Sequence, residues 1–299
     1  MKKRNLNPLV LLTLVLVMSC NKDEIAVKNI AVEQKPNLRM MTEAKSWTNI
    51  LIDNFDPGSN LDANWQRTER LDYNSNLCMY RPWNASIANL DNKSCLRLRS
   101  YKKDNRWESA HVKSRVNFKP NYNEQVHVQV SAKVVAVENS TFKGFAETYG
   151  VWPAIWTVQE NAWPVQGEID IMEAYSYGYY GGEKYASNLF YGYNAGQSLL
   201  DQNAVRHYDY IGEGWHTYDM YWSNVNGSVY VDILVDGNQV ANYHNGIDPD
   251  LRLENFGPHN VILNLNIGSN TGIFNNNAIN VFWNTDMYVD YVRVQKTSI

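Results

Sequence analysis

The chain has 299 residues, with 27 Lys and Arg set against 31 Asp and Glu for a formal net charge of −4. That balance lacks the basic excess with which nucleic-acid binders neutralise phosphates, so no nucleic-acid partner is expected. Charged residues are only 19% of the chain while Trp and Tyr number 10 and 20, a composition suited to holding sugars against aromatic faces.

The N-terminus opens with the basic Met1-Lys2-Lys3-Arg4, runs through a nearly apolar Pro8 to Met18 and reaches Ser19-Cys20. This is the pattern of a secretory signal over residues 1–19, its apolar run too short to span a bilayer. Val17-Met18-Ser19-Cys20 resembles a bacterial lipobox, which implies that Cys20 is lipidated and becomes the mature N-terminus. Asn21-Lys22-Asp23-Glu24 resembles the charged tag that directs some Gram-negative lipoproteins to the outer face of the cell. Residues 20–45 are polar and aperiodic, with Lys35-Pro36 among them, and read as a lipid-anchored flexible tether. The only membrane attachment expected is therefore this lipid anchor, on the outer membrane of a Gram-negative bacterium.

Residues 46–299 fit one large all-β domain. Ile50 to Phe55 reads as an opening strand, and Cys95-Leu96-Arg97-Leu98-Arg99 as a half-buried one. His111 to Phe118 and Gln125 to Val137 are expected to pair, with Val126, Val128 and Val130 on one side and Gln125, His127 and Gln129 on the other. If Cys20 carries lipid, Cys78 and Cys95 remain, either as a disulfide or as two separate buried thiols. Neither their number nor their spacing suggests a metal site.

The richest stretch for chemistry is Gly167-Glu168-Ile169-Asp170-Ile171-Met172-Glu173-Ala174. On a strand, Glu168 and Asp170 share a face, and strict alternation sends Glu173 to the other. One residue bulged out around Ile171-Met172 brings Glu173 back beside them. The backbones of the two Glu then lie roughly 13 Å apart, and side chains leaning inward close much of that gap. A retaining glycosidase needs its two carboxylates about 5–5.5 Å apart, one as nucleophile and one as proton donor. Crowding three acids raises the pKa of one of them, which keeps it protonated near neutral pH. Trp152, Trp156 and Trp163 surround the acids in sequence and read as sugar platforms.

Trp152-Pro153-Ala154-Ile155-Trp156, Trp163-Pro164 and Gly167 to Glu173 together resemble glycoside hydrolase family 16. The resemblance implies a β-jelly-roll (concanavalin A-like) sandwich with an open substrate cleft on its concave face, and retaining endo-glycanase activity. Residue by residue it implies Glu168 as nucleophile, Asp170 as assisting acid and Glu173 as acid/base. Some members hold a structural calcium ion; no cofactor is required for the reaction. Where the family's β-1,3-glucanases often carry a His near the acid/base, this chain has Asn188, followed by Phe190-Tyr191. His111 occupies a place where many members have a basic cleft residue, and the strand Val261 to Gly268 borders the cleft in the family, which makes Asn266 a candidate sugar contact.

The Gly/Tyr-rich loop Tyr175 to Gly182 follows the acids; Tyr175, Tyr177 and, beyond it, Tyr191 are further candidate sugar contacts. Val229 to Val235 with Asp236-Gly237 reads as a hairpin, and Met287 to Val294 as a closing strand beside the first one. The expectation is a monomeric surface lipoprotein that cuts internal β-1,4 or β-1,3 bonds in a galactose- or glucose-containing polysaccharide or oligosaccharide: a mucin-type O-glycan or poly-lactosamine chain, a galactan or a β-glucan. The alternative is a non-catalytic glycan-binding lipoprotein on the same sandwich.

Overall fold

The computed structural model describes residues 46–72, 77–138, 141–143, 148–175, 184–200, 214–269, 272–279 and 284–299. The signal segment, Cys20, the tether and Tyr177 lie outside the described residues.

The described residues form a twelve-stranded and a seven-stranded antiparallel-dominated sheet. Among the described residues, helix is confined to Leu61–Asn64 and a few 3-10 turns. In the larger sheet, Glu124–Glu138 lies between His216–Val225 and Asn284–Ser298, and the latter also pairs with the opening strand Thr48–Asp53. The Asp236-Gly237 turn joins Ser228–Val235 to Asn238–His244. In the smaller sheet the order is Gln197–Leu200, Lys184–Asn194, Glu168–Tyr175, Val151–Val158, Asn260–Ile267, His111–Ser114 and Trp65–Arg67.

Alternation decides what lies between the sheets. Val126, Val128 and Val130 from one sheet and Ile155, Ile169, Leu189, Val261, Leu263 and Leu265 from the other share a single buried cluster. Each fully buried aliphatic side chain contributes about 1.5–3 kcal/mol relative to exposure. The molecule is thus a β-jelly-roll sandwich, whose smaller sheet turns its other face outward. The strands His111–Ser114 and Glu124–Glu138 do not pair with each other as expected: they belong to opposite sheets, with Val112 and Val128 in the same buried core cluster. Residues 115–123 switch sheets, a topological step that alternation within each strand does not reveal.

Cys78 and Cys95 are free. Cys78 packs in the main core, where its Sγ donates to Asn266 Oδ1 at 3.0 Å. Cys95 packs in a separate small cluster with Val135 and Tyr288. A disulfide needs Cβ atoms about 3.5–4.5 Å apart, and side chains committed to different clusters do not meet, so the two-thiol alternative is the one realised. Burial pushes the Cys95 thiol up to about 11 and raises that of Cys78 as well, which keeps both protonated and unreactive.

Candidate active site

The strand Glu168–Tyr175 lies between Val151–Val158 and Lys184–Asn194. Val158 opposes Glu168, Trp156 opposes Asp170 and Ala154 opposes Glu173, while Ile155 opposes Met172; Ile171 is therefore the extra residue. On the other side Phe190, Asn188 and Ala186 oppose the same three acids. Directly opposed residues share a face, so Glu168, Asp170 and Glu173 all stand on the outer face while Ile169, Ile171 and Met172 are buried in the core.

A bulge leaves backbone groups without ladder partners, and burial makes an unmet carbonyl costly. The Ile171 carbonyl accepts from the Ser187 hydroxyl at 2.8 Å. The carbonyl of Ser187 in turn accepts from the Tyr243 hydroxyl at 3.3 Å, from the opposing sheet across the core. Both leftover acceptors are met by buried hydroxyls.

The strand's start is fixed just as firmly. Gly167 has φ +81°, and a Cβ there would sit 2.3 Å from the Phe256 ring, so only glycine fits. The preceding Gln166 carbonyl lies 3.0 Å from His259 Nε2, and His259 Nδ1 lies 3.0 Å from the Thr157 hydroxyl. Burial drives His259 down to about 3, so the ring is neutral. A neutral imidazole donates from one nitrogen only; Nε2–H serves the carbonyl and Nδ1 accepts from Thr157.

Each outer acid is gripped by an indole. Trp163 Nε1 donates to Glu168 Oε2 at 2.7 Å, and Trp152 Nε1 donates to Glu173 Oε1 at 3.1 Å. Asn188 Nδ2 donates to Glu173 Oε2 at 2.7 Å. Asp170, 2% exposed, lies within hydrogen-bonding reach of both Glu residues. Its Oδ2 has no hydrogen-bond partner among the described residues. Burial first, then the charges of Glu173 and Glu168, hold Asp170 well above the usual carboxylate range. Burial and the Glu173 carboxylate push Glu168 up to about 8, against the pull of its hydrogen bonds from Trp163 and Asp170. Three adjacent acids do not all ionise together near neutral pH.

The other candidate residues divide by depth. Trp156 is half-buried beside Asp170, with Nε1 on Asn264 Oδ1 at 2.6 Å. Trp163 is half-buried, with its ring 6.0 Å from that of Phe190. Trp152, only 7% exposed, packs with Ala186 and Phe274 and donates to Glu173 along the same face, so its ring is not an open sugar platform. His111 is buried against the Tyr80 ring, with Nδ1 on Thr68 Oγ1 at 2.9 Å, and burial lowers it to about 3. Asn266 is likewise interior, accepting from Cys78 Sγ and Tyr80 OH. Register puts these two on the same face as the acids, where Tyr80 covers them and keeps them from the surface. Tyr191 packs against the core, because Phe190 holds the acid-facing position on that strand. Tyr175 ends the acid strand, paired with Lys184. Sequence reasoning passed over Phe190, Ser187 and His259 as parts of the site; their residue types carry no signal until register places them. No cluster of three His, Cys, Asp or Glu that could hold a metal ion is found among the described residues.

Residues 97–179 match the family model described as XgeA-like, catalytic GH16 domain. A search of curated proteins returned no match. Among solved structures, an endo-1,3-beta-glucanase from Streptomyces sioyaensis aligns at TM-score 0.65 and 22% identity, over 85% of this chain and 97% of that one. The catalytic domain of an endo-1,3-beta-glucanase (laminarinase) from Thermotoga petrophila RKU-1 aligns at 0.61 and 21%, over 85% and 99%. A structure titled for endo-acting O-glycanases that prominent members of the human gut microbiota express to initiate mucin breakdown aligns at 0.59 and 21%, over 83% and 98%. At these identities the structural likeness speaks for the fold, and the matched family model spans the strand that carries the three acids. The segment that carries the three acids is thus similar to the catalytic domain of glycoside hydrolase family 16.

Proposed function

We propose that this protein is a retaining, endo-acting β-glycanase of glycoside hydrolase family 16. The observation that carries the reading is the single-residue bulge that sets Glu168, Asp170 and Glu173 on one face, with a donor on each outer acid. Glu168 Oε1, the oxygen not held by Trp163, attacks the anomeric carbon as the glycosidic bond breaks, and Glu173 gives its proton to the leaving oxygen. Glu173 then takes a proton from water, whose oxygen attacks the same carbon and releases Glu168 as carboxylate.

The reactive form carries its protons on Asp170 and Glu173. With Glu173 neutral, the second-largest cause of Glu168's elevation disappears, and Asp170 donates to the nucleophile. The site then holds one negative charge, on the attacking group. As Glu168 becomes an ester and Glu173 a carboxylate, the Asp170 proton is within reach of both.

For substrate we infer a neutral β-1,3- or β-1,4-linked glucose- or galactose-containing chain. A net charge of −4 and few charged residues favour a neutral polymer over a sulfated one. The neighbours named for β-glucans and for mucin O-glycans bracket the class. We further propose that the enzyme is exported and held on the outer membrane through lipid on Cys20. Incubation with laminarin, mixed-linkage glucan, agarose, poly-lactosamine and mucin glycans tests the activity; early release of oligomers from one of them, abolished in Glu168→Gln and Glu173→Gln, is expected. Binding without any release by the wild-type protein establishes a capture protein instead. Membrane release of Cys20→Ser tests the anchor, and a variant that stays membrane-bound refutes it.

A further inference from the structure

Glu173 has to lose a proton to a poor leaving group, an alkoxide of the departing sugar, and two neutral donors already address its oxygens. Trp152 approaches Oε1 from the same outer face, at 3.1 Å, through a ring locked against Ala186 and Phe274. The nearer donor is Asn188 Nδ2, 2.7 Å from Oε2, on a residue only 4% exposed. Its backbone is fixed in register opposite Asp170, directly beside the bulge. Among the described residues, the ionisable groups nearest Glu173 are Asp170 and Glu168 of its own strand. The flanking strands present Ala154 and Trp152 on one side and Ala186 and Asn188 on the other, and residues 272–279 present Phe274; none of these carries a charge. Trp152 and Asn188 both donate to the carboxylate that Glu173 becomes.

We propose that Asn188 is a positioning residue that sets the acid strength of Glu173, its N–H stabilising the carboxylate that forms as the proton passes to the leaving sugar. A hydrogen bond to a charged acceptor is roughly twice as strong as one between neutral groups, so the Asn188 contact strengthens as the proton departs and is worth more in the transition state than in the ground state. An amide achieves this without titrating, and so adds no ionisation of its own to the pH profile. The inference deepens the hydrolase reading and rests on it.

The test uses leaving groups of two kinds. A dinitrophenyl β-glycoside of the cleaved sugar needs little protonation to depart, whereas the natural polymer needs it fully. Asn188→Leu keeps the shape and removes the donor; Asn188→Ala is a second variant should Leu pack poorly. Expected is a loss of kcat of about tenfold or more on polymer, with kcat for the glycosylation of the dinitrophenyl glycoside within a factor of about two of wild type. The alkaline limb of kcat/KM on polymer should move up by about one pH unit, since removing a donor favours the protonated acid. Equal losses on both substrates, or an unmoved alkaline limb, would show that Asn188 only supports the strand and would overturn the proposal. A wild-type protein inactive on both substrates removes the hydrolase reading and this inference with it. An active wild type with unaffected variants removes this inference alone.

Discussion

Replacing Ser187 with Ala tests how the acid row is built. The Ser187 hydroxyl, 0% exposed, is the donor to the carbonyl of Ile171, the bulged residue. Alanine keeps the backbone and removes only the O–H, leaving a buried carbonyl unmet. Such an orphan costs about 1–3 kcal/mol, and for a domain of this size each kcal/mol lowers Tm by about 2–4 °C. A fall of several degrees in a thermal scan is expected, with Ser187→Thr, which retains the hydroxyl, closer to wild type. Glu173 follows Ile171 by two residues, so relaxation of the bulge should turn it away from Glu168 and lower kcat on the polymer by tenfold or more. An Ala variant with wild-type Tm and kcat would mean that the bulge holds its shape without this bond, and the reasoning from carbonyl satisfaction would fail.

Trp163→Phe keeps a ring near Phe190 but removes the N–H on Glu168. Losing a donor to the charged form raises the carboxyl further, so the acidic limb of kcat/KM should move up by about one pH unit; an unmoved limb contradicts the assignment of Glu168 as the ionised group. Where Glu173 beside it is ionised, burial and that charge raise Glu168 to about 8, against about 4.3 in an unfolded chain, so its contribution to stability is present below the unfolded value and is lost as pH rises through this window. Glu168→Gln should therefore melt above wild type at pH 8 and show little gain at pH 4; a gain independent of pH would refute the buried-acid account. With both domain cysteines reduced and buried, a thiol reagent should label neither in the native domain from Ser46 onward and both after denaturation, and reducing agent should leave Tm unchanged.

The acid row was legible because its spacing departs from strict alternation by a single residue, and only one bulge reconciles Glu168, Asp170 and Glu173 with a shared face. The sandwich was legible for a similar reason: Val126, Val128 and Val130 alternate too regularly for anything else. Long-range register was not. Whether Phe190 or Tyr191 faces the acids depends on which residue opposes Glu168, and a one-residue difference reverses the answer. The indoles of Trp152 and Trp163 read as sugar platforms, yet both spend their N–H groups on the acids, a choice fixed by side-chain depth. His111 and Asn266 lie on the expected strands and the expected face but are closed over by Tyr80. Proximity of Cys78 and Cys95 in sequence said nothing of their packing, since the chain between them turns through two clusters.

The most direct measurement is trapping of the glycosyl-enzyme. A 2-deoxy-2-fluoro β-glycoside with a dinitrophenyl leaving group slows breakdown of the intermediate more than its formation, and intact mass followed by peptide mapping locates the sugar. One equivalent of sugar on Glu168, absent in Glu168→Gln, is the result the geometry demands. Sugar on another residue, or none at all from an enzyme whose first-formed product has inverted configuration, would contradict it.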